Sequence, residues 1–335
     1  MIFTRQLRIE EHSQVAEARR LATALCRELG FDALRLDQAS LIVTELATNL
    51  VKHTGGAGGL LVFCPLDQAG TSGLDILSLD QGPGINNISA SLRDGYSTAG
   101  SLGTGLGAVR RLSSAFDIFS MPGKGVAVLS RLWQQAPAQM PRMDVGAVCL
   151  PVHGEQACGD AWTSKQGPEA TLFLLADGLG HGPDAAVAAN LAVEIFKKNA
   201  LSSPAELVFL IHEGLRSTRG AAVAVAEVDY AASLVRYAGL GNLAGLIVSE
   251  GSSRHMASYN GTAGVEARKI QEFSYPWPEQ SLLVLHSDGV ATHWALDNYP
   301  GLVLKDPALI AGVLYRDHQR LRDDSAVIVA RASRL

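Results

Sequence analysis

The sequence predicts an α/β protein, α+β in its layering, built as two sandwiches in tandem. Three observations predict it. A chain of 335 residues is about two domains long. Residues 134–143, QQAPAQMPRM, have two prolines, three glutamines and no apolar period, which reads as a linker. The flanking parts differ in pattern: helical stripes lead in the first, and short apolar strands dominate the second. The expected domains are therefore 1–133 and 144–335.

In the first part, residues 2–9 read as a strand. HSQVAEARRLATALCREL (12–29) then sets Val15, Ala18, Leu21, Ala22, Leu25 and Leu29 on one helical stripe. Residues 36–53 repeat the pattern with Leu41, Ile42, Leu46 and Leu50. LLVFCPL and LDILSLD follow as strands, then a glycine-rich passage, a helix over GLGAVRRLSSAF, and two short strands ending in VAVLSRLW (126–133). Helices on one face of a mainly antiparallel sheet satisfy this order.

The second part opens with DVGAVCLPV, QACGD and TLFLLADG as strands. HGPDAAVAANLAVEIFKKN and SPAELVFLIHEGL read as helices. AAVAVAEVD, SLVRYAGL, AGLIVS, SLLVLHSDG and SAVIVAR are again strands, and DPALIAGVLYRDH is a late helix. Many strands around two or three helices fit a layered α-β-β-α domain.

Composition narrows the function. The 28 Lys+Arg and 33 Asp+Glu give a net charge of -5, and the first 140 residues carry equal numbers of each sign, so the acidic excess lies in the second part. Neither part has a basic nucleic-acid footprint. MIFTRQLRIEEH interrupts any apolar leader with charge, and the least polar stretch, 237–249, is too short for a membrane helix. No membrane association and a cytoplasmic location are expected. Cys26, Cys64, Cys149 and Cys158 form no CxxC pair and read as reduced thiols. The oligomeric state is left open.

Two groups of residues carry chemistry. In TELATNLVKH, Glu45, Asn49 and His53 recur every fourth residue and share one helix face. Burying an acid, an amide and an imidazole there is costly without a partner. Asp80 ends a strand and opens D-Q-G-P-G, where Gly82 and Gly84 let backbone approach a ligand. GTGLG (103–107) opens a helix whose free N–H groups suit phosphate. In the second part Asp160, Asp177, Asp288 and Asp323 stand at strand ends or beside glycine. Clustered carboxylates repel unless hard divalent cations lie between them, and oxygen ligands select Mg²⁺ or Mn²⁺. A two-metal centre is the economical expectation.

With these motifs in order, residues 38–130 resemble the GHKL ATPases, and among them the anti-sigma serine kinases of the RsbT type. The resemblance rests on E-x-x-x-N-x-x-x-H at 45–53, D-x-G-x-G at 80–84 and G-x-G-x-G at 103–107. It implies a GHKL α/β sandwich that binds ATP. Asn49 would hold Mg²⁺ at the phosphates, and Glu45 would accept the proton of an attacking serine. Asp80 would take the adenine amino group, with Gly82 and Gly84 making room. Gly103, Thr104, Gly105 and Gly107 would wrap the phosphates, with Gly123 and Gly125 as a final glycine box. His53 is given no fixed role.

Residues 144–331 resemble the metal-dependent PPM phosphatases of the SpoIIE and RsbX branch, through GD (159–160), ADGLGHG (176–182), AGLGN (238–242), SDG (287–289) and DD (323–324). By that likeness Asp160 and Asp177 would bridge two Mg²⁺ or Mn²⁺ ions. The carbonyl of Gly178 would complete one site, and Asp288 and Asp323 would hold the other. Asp324 would support them, and His181 would either protonate the leaving serine or serve structure. Ala326 stands where the family usually has Thr.

Together the resemblances imply a bifunctional switch: a serine kinase and a phosphoserine phosphatase acting on a STAS-type regulator or an anti-sigma or anti-anti-sigma protein. Two other readings stand beside it. The ATP-binding half could be a partner-switching binding module, or a nucleotide sensor for the phosphatase.

Overall fold

Alternation along the third predicted strand gives it two buried faces, and the rest of the first unit is organised around that sheet. The computed structural model describes residues 4–92, 105–249 and 252–333. It divides into two units: Met1–Met140 with Tyr299–Arg316, and Pro141–Asn298 with Asp317–Leu335. The late helix expected in the second domain thus packs as part of the first unit.

In the first unit, β1 (Arg5–Ile9), β2 (Gly59–Gln68), β3 (Thr71–Asp80), β4 (Ala115–Ser120) and β5 (Val126–Trp133) form an antiparallel sheet of order β1-β2-β3-β5-β4. Helices α1 (Ser13–Glu28), α2 (Ala33–His53) and α4 (Gly105–Leu112) belong to its core, with the short α3 (Ile88–Ser91) beside them in sequence. Asp32 caps α2 by accepting from the Arg35 N–H at 2.8 Å. The buried stripe of α2 is Ala39, Ile42, Val43, Leu46, Ala47 and Leu50. Leu41, expected on that stripe, lies one helical step off it and is 55 % exposed.

The helix expected over 105–116 stops at Leu112. Ser113 turns its hydroxyl back to the Val109 carbonyl, and the Ser114 N–H joins the Arg131 carbonyl, so Ala115 enters β4. One sheet face carries Leu74, Ile76, Val128 and Leu132 into the helical core. The alternate residues Leu77 and Leu79 face Gly312 of α7 (Pro307–His318), where an added Cβ would touch both. This helix is buried on every side from Pro307 to Arg316, and Arg316 is the one charged residue of that run.

The second unit contains two antiparallel five-stranded sheets. One is β15 (Phe273–Pro276), β10 (Leu234–Leu240), β9 (Ala221–Asp229), β8 (Ala170–Gly178) and β7 (Asp160–Gln166) in that spatial order. The other is β12 (Ser252–Met256), β11 (Ala244–Ser249), β16 (Leu282–His286), β17 (Ser325–Ala332) and β6 (Met143–Leu150). The two-residue strands β13 (Gly261–Thr262) and β14 (Glu266–Ala267) form a small hairpin. Phe173, Leu175, Tyr237, Leu285 and Ile328 join the sheets in one core. Helices α5 (Pro183–Asn199) and α6 (Pro204–Gly214) cover the first sheet through Phe196, Leu207 and Ile211. QACGD is a strand only from Asp160 onward; the residues before it form a loop.

Candidate functional sites

On α2, Glu45 and Asn49 are half-buried, one turn apart, and meet the first residue of α4. A Cβ built on Gly105 would stand 3.1 Å from Glu45 Oε2 and 3.8 Å from both Asn49 amide atoms. The acid and the amide therefore face the N-terminal turn where the sequence places phosphate. His53 is exposed. Gly107 is buried in α4, while Gly103 and Thr104 lie outside the described residues.

Asp80 ends β3 with Oδ1 accepting from the N–H groups of Gly82 (2.8 Å) and Val126 (3.3 Å). Burial pushes its carboxyl up, against those two bonds and the charge of Arg316. Around it, backbone packs so closely that side chains have no room. A Cβ on Gly125 would lie 2.0 Å from the Asp80 carbonyl oxygen, and one on Gly84 would lie 2.4 Å from the Met121 carbonyl oxygen. Both glycines also adopt positive φ. Gly82 packs over Thr54 and the His53 carbonyl, so the end of α2 and the end of β3 lie side by side.

The acidic site starts from sheet register. Asp160 on β7 is the direct partner of Asp177 on β8, and Gly178 pairs with Ala221 on β9. Asp160 is buried, with Oδ2 accepting from the Ser287 hydroxyl at 2.6 Å and Oδ1 left without a hydrogen-bond partner. Burial raises its pKa strongly, and the Asp177 charge adds to the shift. Asp177 is pushed up to about 8, first by burial and then by Asp288, Asp323 and Asp324. Asp288 is raised by burial and by Asp323, and accepts from Asn242 Nδ2 at 2.6 Å.

These carboxylates come from strand ends of both sheets and sense one another's charge. Among the described residues, however, no three His, Cys, Asp or Glu side chains are drawn together closely enough to hold one ion. The expected closed four-carboxylate centre is thus seen as a looser gathering. Hydrogen bonds from Ser287, Asn242 and the Asp324 N–H engage Asp160, Asp288 and Asp323 individually. The donor set still fits hard cations: it is all oxygen, burial and then mutual repulsion lift several pKa values, and a buried carboxylate oxygen lacks a donor.

Sequence reasoning missed Ser287, Asn242 and Glu155. Ser287 and Asn242 lie inside the recognised motifs SDG and AGLGN but were given no role of their own, because their targets depend on strand register. Glu155 Oε1 lies 3.0 Å from His181 Nδ1. Asp324, expected to act in support, accepts from the Val152 and Gly159 N–H groups at 2.7 Å each and so pins the loop before Asp160. None of the four cysteines is in a disulfide; Cys26 and Cys64 are buried, whereas Cys149 and Cys158 are half-buried with their sulfurs 3.7 Å apart.

Comparison with known proteins gives each part of the chain its relatives. The histidine kinase-like ATPase domain family matches residues 10–130, and the stage II sporulation protein E (SpoIIE) family matches residues 167–333. The serine/threonine-protein kinase RsbT of Bacillus subtilis (strain 168) is 34 % identical over 127 residues, which is 38 % of this chain and 94 % of RsbT. The chain belongs to the RsbT family. Behind its RsbT-type part it continues into a SpoIIE-type domain, so a kinase-type part and a phosphatase-type part are fused in one chain.

Two solved structures resemble part of the chain. One comes from the bacterial stressosome, described as a modular system adapted to control secondary messenger signalling. It is 30 % identical, with a TM-score of 0.52, over 56 % of this chain and 99 % of that one. The other, RsbX in complex with magnesium, is 18 % identical with a TM-score of 0.51, over 58 % of this chain and 98 % of that one, and shares the fold. No helix among the described residues is long and apolar enough to cross a membrane.

Proposed function

We propose that the chain is a cytoplasmic bifunctional switch that phosphorylates and dephosphorylates serine on STAS-type or anti-sigma-type regulators. The observation that carries the kinase half is the convergence of Glu45 and Asn49 on Gly105, beside the pocket built around Asp80. Asp80 accepts a hydrogen bond from the adenine amino group, Gly82 and Gly84 admit the base, and the backbone at Gly105 and Gly107 faces the phosphates. Asn49 is the residue placed to hold Mg²⁺. Glu45 takes the serine proton as the serine oxygen bonds to the γ-phosphorus and the bond to the β-phosphate oxygen breaks, releasing ADP. Positioning and charge neutralisation carry such transfer.

For the reverse reaction, Asp160, Asp177, Asp288, Asp323 and the Gly178 carbonyl are the oxygens placed to hold two Mg²⁺ or Mn²⁺ ions. When bound, such ions activate water and neutralise phosphate charge. Ser287 and Asn242 orient the carboxylates, and Asp324 fixes the loop that presents Asp160. Water adds to phosphorus, the P–O bond to serine breaks, and serine regains its proton.

RsbT is named a serine/threonine-protein kinase, and a stressosome component is among the structural relatives; both support regulators of that signalling class as substrates. The test is transfer of labelled phosphate from ATP to a STAS-domain protein, followed by release on adding Mn²⁺. ATP binding without transfer would replace the kinase reading with a partner-switching one in which ATP governs holding and release.

A further inference from the structure

Opposed activities in one chain hydrolyse ATP to no purpose unless something sets one against the other. The segment Tyr299–Arg316 is placed to do so. In sequence it lies between two of the phosphatase carboxylates, Asp288 and Asp323, yet in space it belongs to the nucleotide unit.

Its attachment there is polar and specific. Lys305 Nζ donates to Asp117 Oδ1 at 3.0 Å, and the Asp306 N–H donates to Asp117 Oδ2 at 2.8 Å. The Asp306 carboxylate accepts from both Arg131 terminal nitrogens, at 3.2 and 3.3 Å. Lys124 stands over the Tyr299 ring, 5.4 Å from its centroid, and Phe119 packs on the same ring. Gly312 lets α7 lie against Leu77 and Leu79, the last turns of the strand that ends in Asp80.

At the far end, buried Arg316 donates from Nη1 to the Asp80 carbonyl at 2.9 Å, and Gln81 Nε2 reaches the Arg316 carbonyl at 3.5 Å. Only residues 317–322 then separate Arg316 from Asp323. The Arg320 N–H within them bonds the Gly289 carbonyl, next to Asp288. One covalent element therefore touches the adenine aspartate and leads directly into a phosphatase carboxylate.

We infer that Tyr299–Arg316 couples the two sites, so that nucleotide at Asp80 sets the activity of the phosphatase carboxylates through Arg316. This rests on the proposed function and names the regulation of its sites. Coupling of this kind is reciprocal: if nucleotide changes cation binding by some factor, the cation changes nucleotide affinity by the same factor.

The test uses the full chain. Affinity for a fluorescent ADP is measured with and without Mn²⁺, Mn²⁺ affinity with and without ADP, and Mn²⁺-dependent hydrolysis of para-nitrophenyl phosphate with and without ADP. The expected result is a change of about threefold or more in each, equal between the two affinities. Lys305→Ala, at the less buried end of the segment, keeps both bindings and loses the coupling, and in Arg316→Ala neither affinity depends any longer on the other ligand. ADP is also expected to slow amide exchange over 299–316. Binding of both ligands with affinities independent of each other in wild type overturns the coupling alone. Failure of ADP to bind, or of Mn²⁺ to support hydrolysis, overturns the proposed function and the coupling with it.

Discussion

Arg131 holds Asp75 by two parallel bonds, Nε to Oδ1 at 2.6 Å and Nη2 to Oδ2 at 2.8 Å, in the sheet face that also receives Asp306. Asp75 is 1 % exposed and Arg131 15 %. Burial opposes the guanidinium charge, but the two acids outweigh it and raise the Arg131 pKa. Removing one member of such a pair strands a buried charge. Arg131→Met should therefore destabilise the first unit by about 3–5 kcal/mol, read as a lower urea midpoint of the full chain. A midpoint equal to wild type would mean the pair contributes nothing.

Gly125 tests the adenine pocket. Its φ of +85° and the 2.0 Å approach of a Cβ to the Asp80 carbonyl leave alanine no accommodation. Gly125→Ala should weaken binding of a fluorescent ATP analogue at least about tenfold, by displacing the Asp80 backbone. Hydrolysis of para-nitrophenyl phosphate with Mn²⁺ should persist in the variant. Unchanged ATP binding would place the nucleotide elsewhere.

Glu45 separates binding from chemistry. Glu45→Gln keeps the shape facing Gly105 and removes the proton acceptor. ATP affinity should stay within about threefold, while labelled-phosphate transfer to a STAS protein should fall by about 10²–10⁴-fold. Equal loss of both would make Glu45 a ligand-positioning residue.

Asp177 gives a pH dependence with a definite sign. Its folded pKa, about 8 against an ordinary 3.8, means the folded state holds its proton more tightly than the unfolded chain. Its stabilising contribution is then complete below about 3.8 and is lost as pH rises toward about 8. In EDTA, Asp177→Asn should raise the melting temperature at pH 8 and leave it near wild type at the acid end. The same variant should lose the stabilisation that Mn²⁺ gives wild type. A melting temperature unaffected at both pH values would show that the charges are not in conflict.

Ser287 tests the hydrogen bond behind Asp160. Its hydroxyl donates to Asp160 and accepts from the Ala326 N–H at 2.9 Å. Ser287→Ala should weaken Mn²⁺ binding by about 10–100-fold, measured by titration calorimetry, and Ser287→Thr should recover part of it. Affinity unchanged in both would free Asp160 from this partner.

The helical stripes, the strand runs and the acid and glycine motifs were all legible, because each is a local pattern of period or spacing. Leu41 was misplaced because a stripe read from spacing alone does not show where its edge falls. The helix 307–318 was also legible, but its address was not: a segment apolar on every side announces burial without naming the surface that buries it. Its true place depends on Asp117, Arg131 and Asp306, residues far apart in sequence and unremarkable singly. Ser287 and Asn242 were passed over for a related reason. A serine or an amide gains meaning only when register brings a particular carboxylate to it, as β7 and β8 do for Asp160 and Asp177. The gathering of the carboxylates is an expectation from charge logic, and among the described residues no three of them lie close enough to hold one ion.

The seating of Gly312 on Leu77 and Leu79 limits how this gene can be divided. A protein ending at residue 140 would expose one greasy side of its sheet to water and leave Arg131 without Asp306. Its complementary fragment would carry an orphaned apolar helix. Cutting at the proline- and glutamine-rich stretch, the obvious seam for a cloning strategy, should therefore yield two aggregating halves. Together in one tube, they should rescue each other's solubility.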